Sequence, residues 1–158
     1  METLTKLFFF QSSEVSKGET TFSLNSSTIL MSRSIGVVYL WFGFLKFFSG
    51  ISPAEELAIN TIDQLVFGLI SPDVTIILLA IWEVAVGLML IFGLLWSLAL
   101  RASLIHMIFT FTPLIFFPDI AFGQNPLTLT LLGQYILKNL VIISVLVHLI
   151  REQKAVYE

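Results

Sequence analysis

Long apolar runs separated by short polar breaks dominate the chain, and the run lengths set the expected elements. Ile29 to Phe48 is the first run, with Arg33 near its start and Lys46 near its end. About 20 residues at 1.5 Å each match the hydrocarbon thickness of a bilayer. A more polar stretch follows. In it Ala58, Ile62, Leu65, Val66 and Leu69 share one helical face, and Glu56, Asn60, Asp63 and Gln64 share the other. This predicts an amphipathic helix over 53–69, lying on a membrane surface or capping a bundle. Ser52-Pro53-Ala54-Glu55 is its start signal: a cap, a first-turn proline and a capping-box glutamate.

Ser71-Pro72-Asp73 repeats that signal. Apolar sequence then continues from Val74 to Phe117. As one helix it would span about 66 Å, twice what a bilayer needs, so it folds back. Trp96, Ser97 and Arg101 mark the expected turn, since Trp and Arg favour interfaces. The expected spans are 74–96 and 98–117. Pro113 should kink the third helix, with Thr110 or Thr112 helping to satisfy the freed carbonyl. Pro118 and Asp119 stop it. Asn125-Pro126 opens a fourth helix, expected over 127–150, before the polar residues 152–158. Residues 1–28 are polar, rich in Ser and Thr, and read as a mobile tail.

The expected fold class is therefore all-α: an integral membrane antiparallel four-helix bundle, with an amphipathic surface helix between helices one and two. Composition agrees. Of 158 residues, 56% are apolar and 12% charged, about half the usual soluble share of charge. Lys6, Lys17, Arg33, Arg101, Arg151 and Lys154 fall on one side of this topology. Glu55, Glu56, Asp63, Asp73 and Asp119 fall on the other. Both termini are thus expected in the cytoplasm. A net charge of −3 and no basic stripe leave no footprint for nucleic acid. The absence of cysteine excludes disulfides, thiolate chemistry and Cys-based metal sites. No metal site is expected, and no Walker loop, His-Glu-x-x-His or Ser-centred elbow occurs. The chain shows no self-sufficient catalytic set.

Ionisable groups within spanning helices cost about 2.5–3.5 kcal/mol near the centre and are usually turned inward and paired. Glu83 and Lys138 each lie about 16–18 Å from the expected starts of their helices, at Pro72 and Pro126. Equal depth and opposite sign predict a Glu83–Lys138 ion pair. Lys46 is the weaker candidate partner for Glu83, since it lies close enough to the outer end of helix one to snorkel. Gln134 with Lys138, and Tyr135 with Asn139, form a polar stripe on helix four. That stripe reads either as glue that sets register or as the lining of a pocket or proton path, with a quinone head group or another small polar ligand as occupant. A neighbouring subunit with its own charge is a third arrangement. His106 and His148 are expected at similar depth near the inner face. A b-type haem between them would require adjacent helices; an interfacial His148 and a hydrogen-bonded His106 are the plainer expectation.

Taken in order, Arg33, Tyr39-Leu-Trp-Phe-Gly43, Lys46, Ser52-Pro-Ala-Glu-Glu-Leu57, Trp82-Glu83, Gly87, His106, Thr110, Pro113, Pro118 and Gly133-Gln-Tyr-Ile-Leu-Lys-Asn139 resemble the DoxX-like membrane proteins. The resemblance covers roughly Arg33 to Ile150. It implies a small antiparallel four-helix bundle whose polar core is Lys46, Glu83, His106, Gln134, Lys138 and Asn139. Named members are tied to redox membranes, one as a subunit of a thiosulfate:quinone oxidoreductase and another in a mycobacterial membrane oxidoreductase assembly. The resemblance carries over no catalytic role for any residue. The resulting expectation is a small accessory or anchor subunit of a quinone-linked complex in the bacterial cytoplasmic membrane, beside other membrane subunits. A free-standing binder or carrier of a small lipid or solute, and a purely structural assembly subunit, are the alternatives.

Overall fold

The computed structural model describes residues 25–157 apart from 53–54, 124 and 126, with side chains through residue 153. Among them the elements are α1 (Ser26–Leu45), α2 (Glu55–Leu65), α3 (Pro72–Phe92), α4 (Trp96–Phe109), the short α5 (Pro113–Phe116) and α6 (Pro118–Ala121), and α7 (Leu131–Tyr157). No strand occurs among the described residues; Phe122 and Leu129 form a single antiparallel bridge. Four helices are long and apolar enough to cross a membrane: α1, α3, α4 continued through α5, and α7 up to Gln153.

Each boundary has a local cause. α1 begins at Ser26, three residues before the expected start, because the Asn25 side chain accepts from the Ser27 amide. Residues 26–28, expected in the tail, are therefore helical; the tail up to residue 24 and the Pro53 start signal lie outside the described residues. α3 ends at Phe92, where Gly93 takes the left-handed conformation (φ 71°) and Leu95 follows it (φ 44°). The turn is thus at Gly93–Leu95, and Trp96 opens α4 instead of closing α3.

Pro113 interrupts the third span at Thr110–Thr112. A proline nitrogen cannot bond the carbonyl of Phe109. That oxygen instead accepts from the Thr112 hydroxyl at 2.7 Å and the Thr112 amide at 3.1 Å. Helix four begins at Leu131, four residues later than expected. Asn125 is spent on a turn: its side chain accepts from the Leu127 amide and its carbonyl from the Thr128 amide. Thr130 takes over as the cap, accepting from the Gly133 amide at 3.2 Å. The helix continues through Tyr157, past the expected end at 150.

α1 and α3 form the closest pair. Ser32 donates to the Leu90 carbonyl at 3.2 Å, Gly36 faces Gly87 and Ile91, and Gly43 faces Glu83 and Val84. The register runs in opposite directions along the two helices. A Cβ at Gly87 would lie 2.7 Å from the Leu40 amide nitrogen and 2.8 Å from the Gly36 carbonyl, so only glycine permits this approach. α4 packs on α7, and Ile35, Tyr39, Val86, Leu90, Ala99, Leu100, Met107, Leu146 and Leu149 form the common core.

The buried face of α1 is the polar one. Thr28, Ser32, Gly36, Tyr39, Gly43 and Lys46 are buried, with Ile35 the one buried aliphatic residue, whereas Val37, Trp41 (65% exposed), Phe42 and Phe44 face outward. Large apolar residues are likewise exposed along α3 and α4, including Ile77, Leu78, Ile81, Phe92, Leu98, Ile105 and Ile108. Such a distribution suits a lipid surrounding, where the exterior needs no polar cover.

α2 packs against α3 and α5. Its buried residues are Leu57 and Thr61, with Ala58 and Ile62 half-buried. Leu65 and Leu69 of the expected apolar face are exposed, so the helix is rolled relative to the sequence pattern.

Candidate functional site

Lys46, at the carboxyl end of α1, and Glu83, in the middle of α3, form a buried ion pair. Nζ lies 2.6 Å from Oε2, and the two residues are 8% and 7% exposed. Gly43 makes this reachable, because the absence of a side chain there lets α1 rest on the backbone of Glu83 and Val84. Lys46 also donates to the Phe42 carbonyl at 3.4 Å.

The second carboxylate oxygen of Glu83 faces α4. His106 Nε2 is 3.8 Å from Oε1, and His106 Nδ1 is 3.2 Å from the Tyr39 hydroxyl. The two rings meet edge to face at 5.5 Å. Tyr39 donates to the Ser103 carbonyl at 3.1 Å, and Ser103 donates one turn back to the Ala99 carbonyl. Three helices therefore contribute one connected polar chain: Lys46, Glu83, His106, Tyr39, Ser103. No side-chain nitrogen or oxygen fully shut off from solvent lacks a partner among the described residues.

Of the six expected polar-core residues, the structure brings Lys46, Glu83 and His106 together and leaves Gln134, Lys138 and Asn139 outside. The expected Glu83–Lys138 pair is not formed. Lys138 is exposed, with its ammonium 4.9 Å from the centre of the Tyr135 ring. Depth explains the difference. With α7 starting at Leu131, Lys138 lies about 10 Å along its helix, against about 16 Å for Glu83 along α3. Lys46 does not snorkel, because α1 is set along α3 so that its end lies level with Glu83. Gln134 donates to the Leu129 carbonyl at 3.3 Å, and Asn139 donates to the Thr110 hydroxyl at 2.9 Å, tying α7 to α4.

His106 and His148 are not a facing pair. His106 turns to Glu83 and Tyr39, while His148 lies 3.5 Å from Glu152 on its own helix and is half exposed. Glu152 also accepts from Thr28 at 2.5 Å, which joins α7 to the start of α1. Among the described residues no group of three or more His, Asp or Glu is arranged to hold a metal ion.

Tyr39 and Ser103 complete the site. Tyr39 shares a sequence face with Gly36, Gly43 and Lys46, and Ser103 lies three residues before His106. That spacing is the signal for both. A second link, Trp96 Nε1 donating to Ser32 at 2.9 Å, has no comparable signal.

Fold and site define an all-helical protein with four helices apolar enough for a membrane, three of which share a buried ionic cluster. Compared with protein-family models, curated proteins and solved structures, the chain matches none.

Proposed function

We propose that this chain is a DoxX-like integral membrane protein, an antiparallel four-helix bundle that serves as a small accessory subunit of a quinone-linked redox complex. The setting is the bacterial cytoplasmic membrane, with both termini in the cytoplasm and α2 on the outer side. The observation that carries the reading is the Lys46–Glu83–His106–Tyr39 chain. It is a set of proton donors and acceptors enclosed by three apolar helices. Lipid-facing residues need none of these groups, and a charge pair at this depth is costly enough to suggest a task.

The donor set suits a quinone head group. Lys46 supplies a hydrogen bond to a carbonyl oxygen, and Glu83 and His106 accept protons. A bound quinone would supply the electron chemistry. This chain's residues would orient the head group and hold protons beside it. Lys138 supports the subunit reading. It is a cation on the exposed face of α7 with no carboxylate partner among the described residues, which favours a neighbour that provides one.

The test is extraction of native membranes in a mild detergent with this chain tagged. The expected result is a stable assembly containing redox subunits, with quinone in its organic extract. A chain that elutes alone without quinone overturns the proposal and favours the free-standing carrier. Release of the chain from membranes by alkaline carbonate would overturn the membrane assignment itself.

A further inference from the structure

The hydrogen bonds around His106 fix which of its nitrogens carries the proton. The Ser103 carbonyl only accepts, so the Tyr39 hydroxyl donates to it. That uses the single phenolic proton. The 3.2 Å contact between Tyr39 and His106 Nδ1 then takes its proton from the ring. A neutral imidazole carries one N–H. Its Nε2 therefore presents a bare lone pair to Glu83 Oε1, 3.8 Å away, while Oε2 is held by Lys46. Two acceptors face each other across a gap with no proton between them.

We infer that Glu83 and His106 form a site for one proton, taken up between Oε1 and Nε2 and not passed through the bundle. Uptake adds one N–H or O–H and one charge-assisted hydrogen bond across the gap, and release reverses it. No other bond changes.

The surroundings permit one proton and no onward path through the bundle. From α1 the site faces the Lys46 cation and the Tyr39 phenol; from α3 and α4 it has Glu83 and His106 themselves. α7 offers no ionisable group there, since Asn139 is bonded to Thr110 and Lys138 turns outward. On α2, Glu55 is engaged by the Gly50 amide and the Ser49 hydroxyl, and Glu56 and Asp63 are exposed. Beyond Tyr39 and Ser103 the path is dry. Ile35, Val86, Leu90, Ala99 and Leu100 are all 5% exposed or less. The next polar pair, Ser32 with Trp96, lies about 10 Å further along α1.

This inference goes beyond the redox-subunit reading and fails separately from it, because it concerns protons on the purified chain rather than co-purifying subunits. The experiment is nitrogen NMR of the histidine-labelled protein in micelles, in a His148→Gln background that leaves one ring. At neutral pH the expected state is a neutral ring protonated on Nδ1. On acidification it gains one proton, and Glu83→Gln should raise the acid concentration needed for that at least tenfold. A ring protonated on Nε2 at neutral pH, or a smaller change in Glu83→Gln, overturns the site. Should Glu83→Gln not fold, the wild-type tautomer alone decides. In vesicles loaded with a pH dye, the protein should add no proton leak. A leak that disappears in Glu83→Gln would overturn the closed inner route.

Discussion

Lys46 reaches Glu83 across a helix contact that exists only because residue 43 is glycine. The ammonium-to-carboxylate distance is 2.6 Å, and a Cβ on Gly43 would sit 2.7 Å from the Glu83 Cβ. Packing and charge are therefore coupled at one point: whatever separates α1 from α3 also strips Glu83 of its counter-ion.

Removing one partner leaves an uncompensated buried charge. Lys46→Met is expected to destabilise the protein by about 3–5 kcal/mol. Adding Glu83→Leu should recover most of that loss, because two apolar residues restore a consistent interior. Thermal unfolding in a fixed detergent reads both. A double variant as unstable as the single one would show that the pair does more for the fold than neutralise itself.

Lys138→Met distinguishes the two possible cations. Its side chain stacks on Tyr135 at the exposed face of α7, a contact of about 0.5–1 kcal/mol. Stability should change by no more than that. A loss comparable to that of Lys46→Met would return Lys138 to the role of counter-ion.

Gly87→Ala should be among the most damaging single-methyl changes in the molecule. The added carbon meets two backbone atoms, the Leu40 nitrogen and the Gly36 oxygen, and neither can rotate away. Overpacking of this kind costs about 1–3 kcal/mol. By contrast, Gly93→Ala meets open space but keeps a positive φ, so its cost is conformational strain, about 1 kcal/mol. An unchanged melting temperature in Gly87→Ala would contradict the close α1–α3 approach.

Thr112 supplies a donor that Pro113 lacks, and a double-mutant cycle can show it. Thr112→Val should cost about 1 kcal/mol in the natural chain, since the Phe109 carbonyl loses its shorter bond. In a Pro113→Ala background the restored amide can take that place, and Thr112→Val should be nearly neutral. Equal costs in both backgrounds would mean the hydroxyl is not standing in for the backbone.

The four long helices are legible in the sequence because an apolar run of bilayer length has few other uses, and Pro113 announces its own break. The turns are less so. Trp96 and Arg101 suggest an interface, yet Gly93 bends the chain earlier because it alone there takes a left-handed conformation without a steric cost. Asn125-Pro126 carries a helix-start pattern, but Asn125 serves a turn, and the four-residue delay moves Lys138 out of register with Glu83.

The candidate site was half visible for a related reason. Glu83 is conspicuous as an acid in an apolar run. Its partner depends on how far α1 slides along α3, which Gly36, Gly43 and Gly87 set jointly and no single motif reveals. His106 counted from Arg101 falls near the end of its helix; with α4 starting at Trp96 it stands about 15 Å in, level with the carboxylate.

Lys46 and Glu83 sit on successive long helices, and under the proposed membrane assignment this bears on biogenesis. A ribosome delivers α1 first, with its lysine still at the trailing end, and α3 next. Once that hairpin closes, the acid and the base can enter oil already neutralised, before α4 and α7 are made. Histidine 106 arrives afterwards, at a seam whose charges are settled, so an arrested chain ending after α3 should already be retained by the bilayer as a stable two-helix unit.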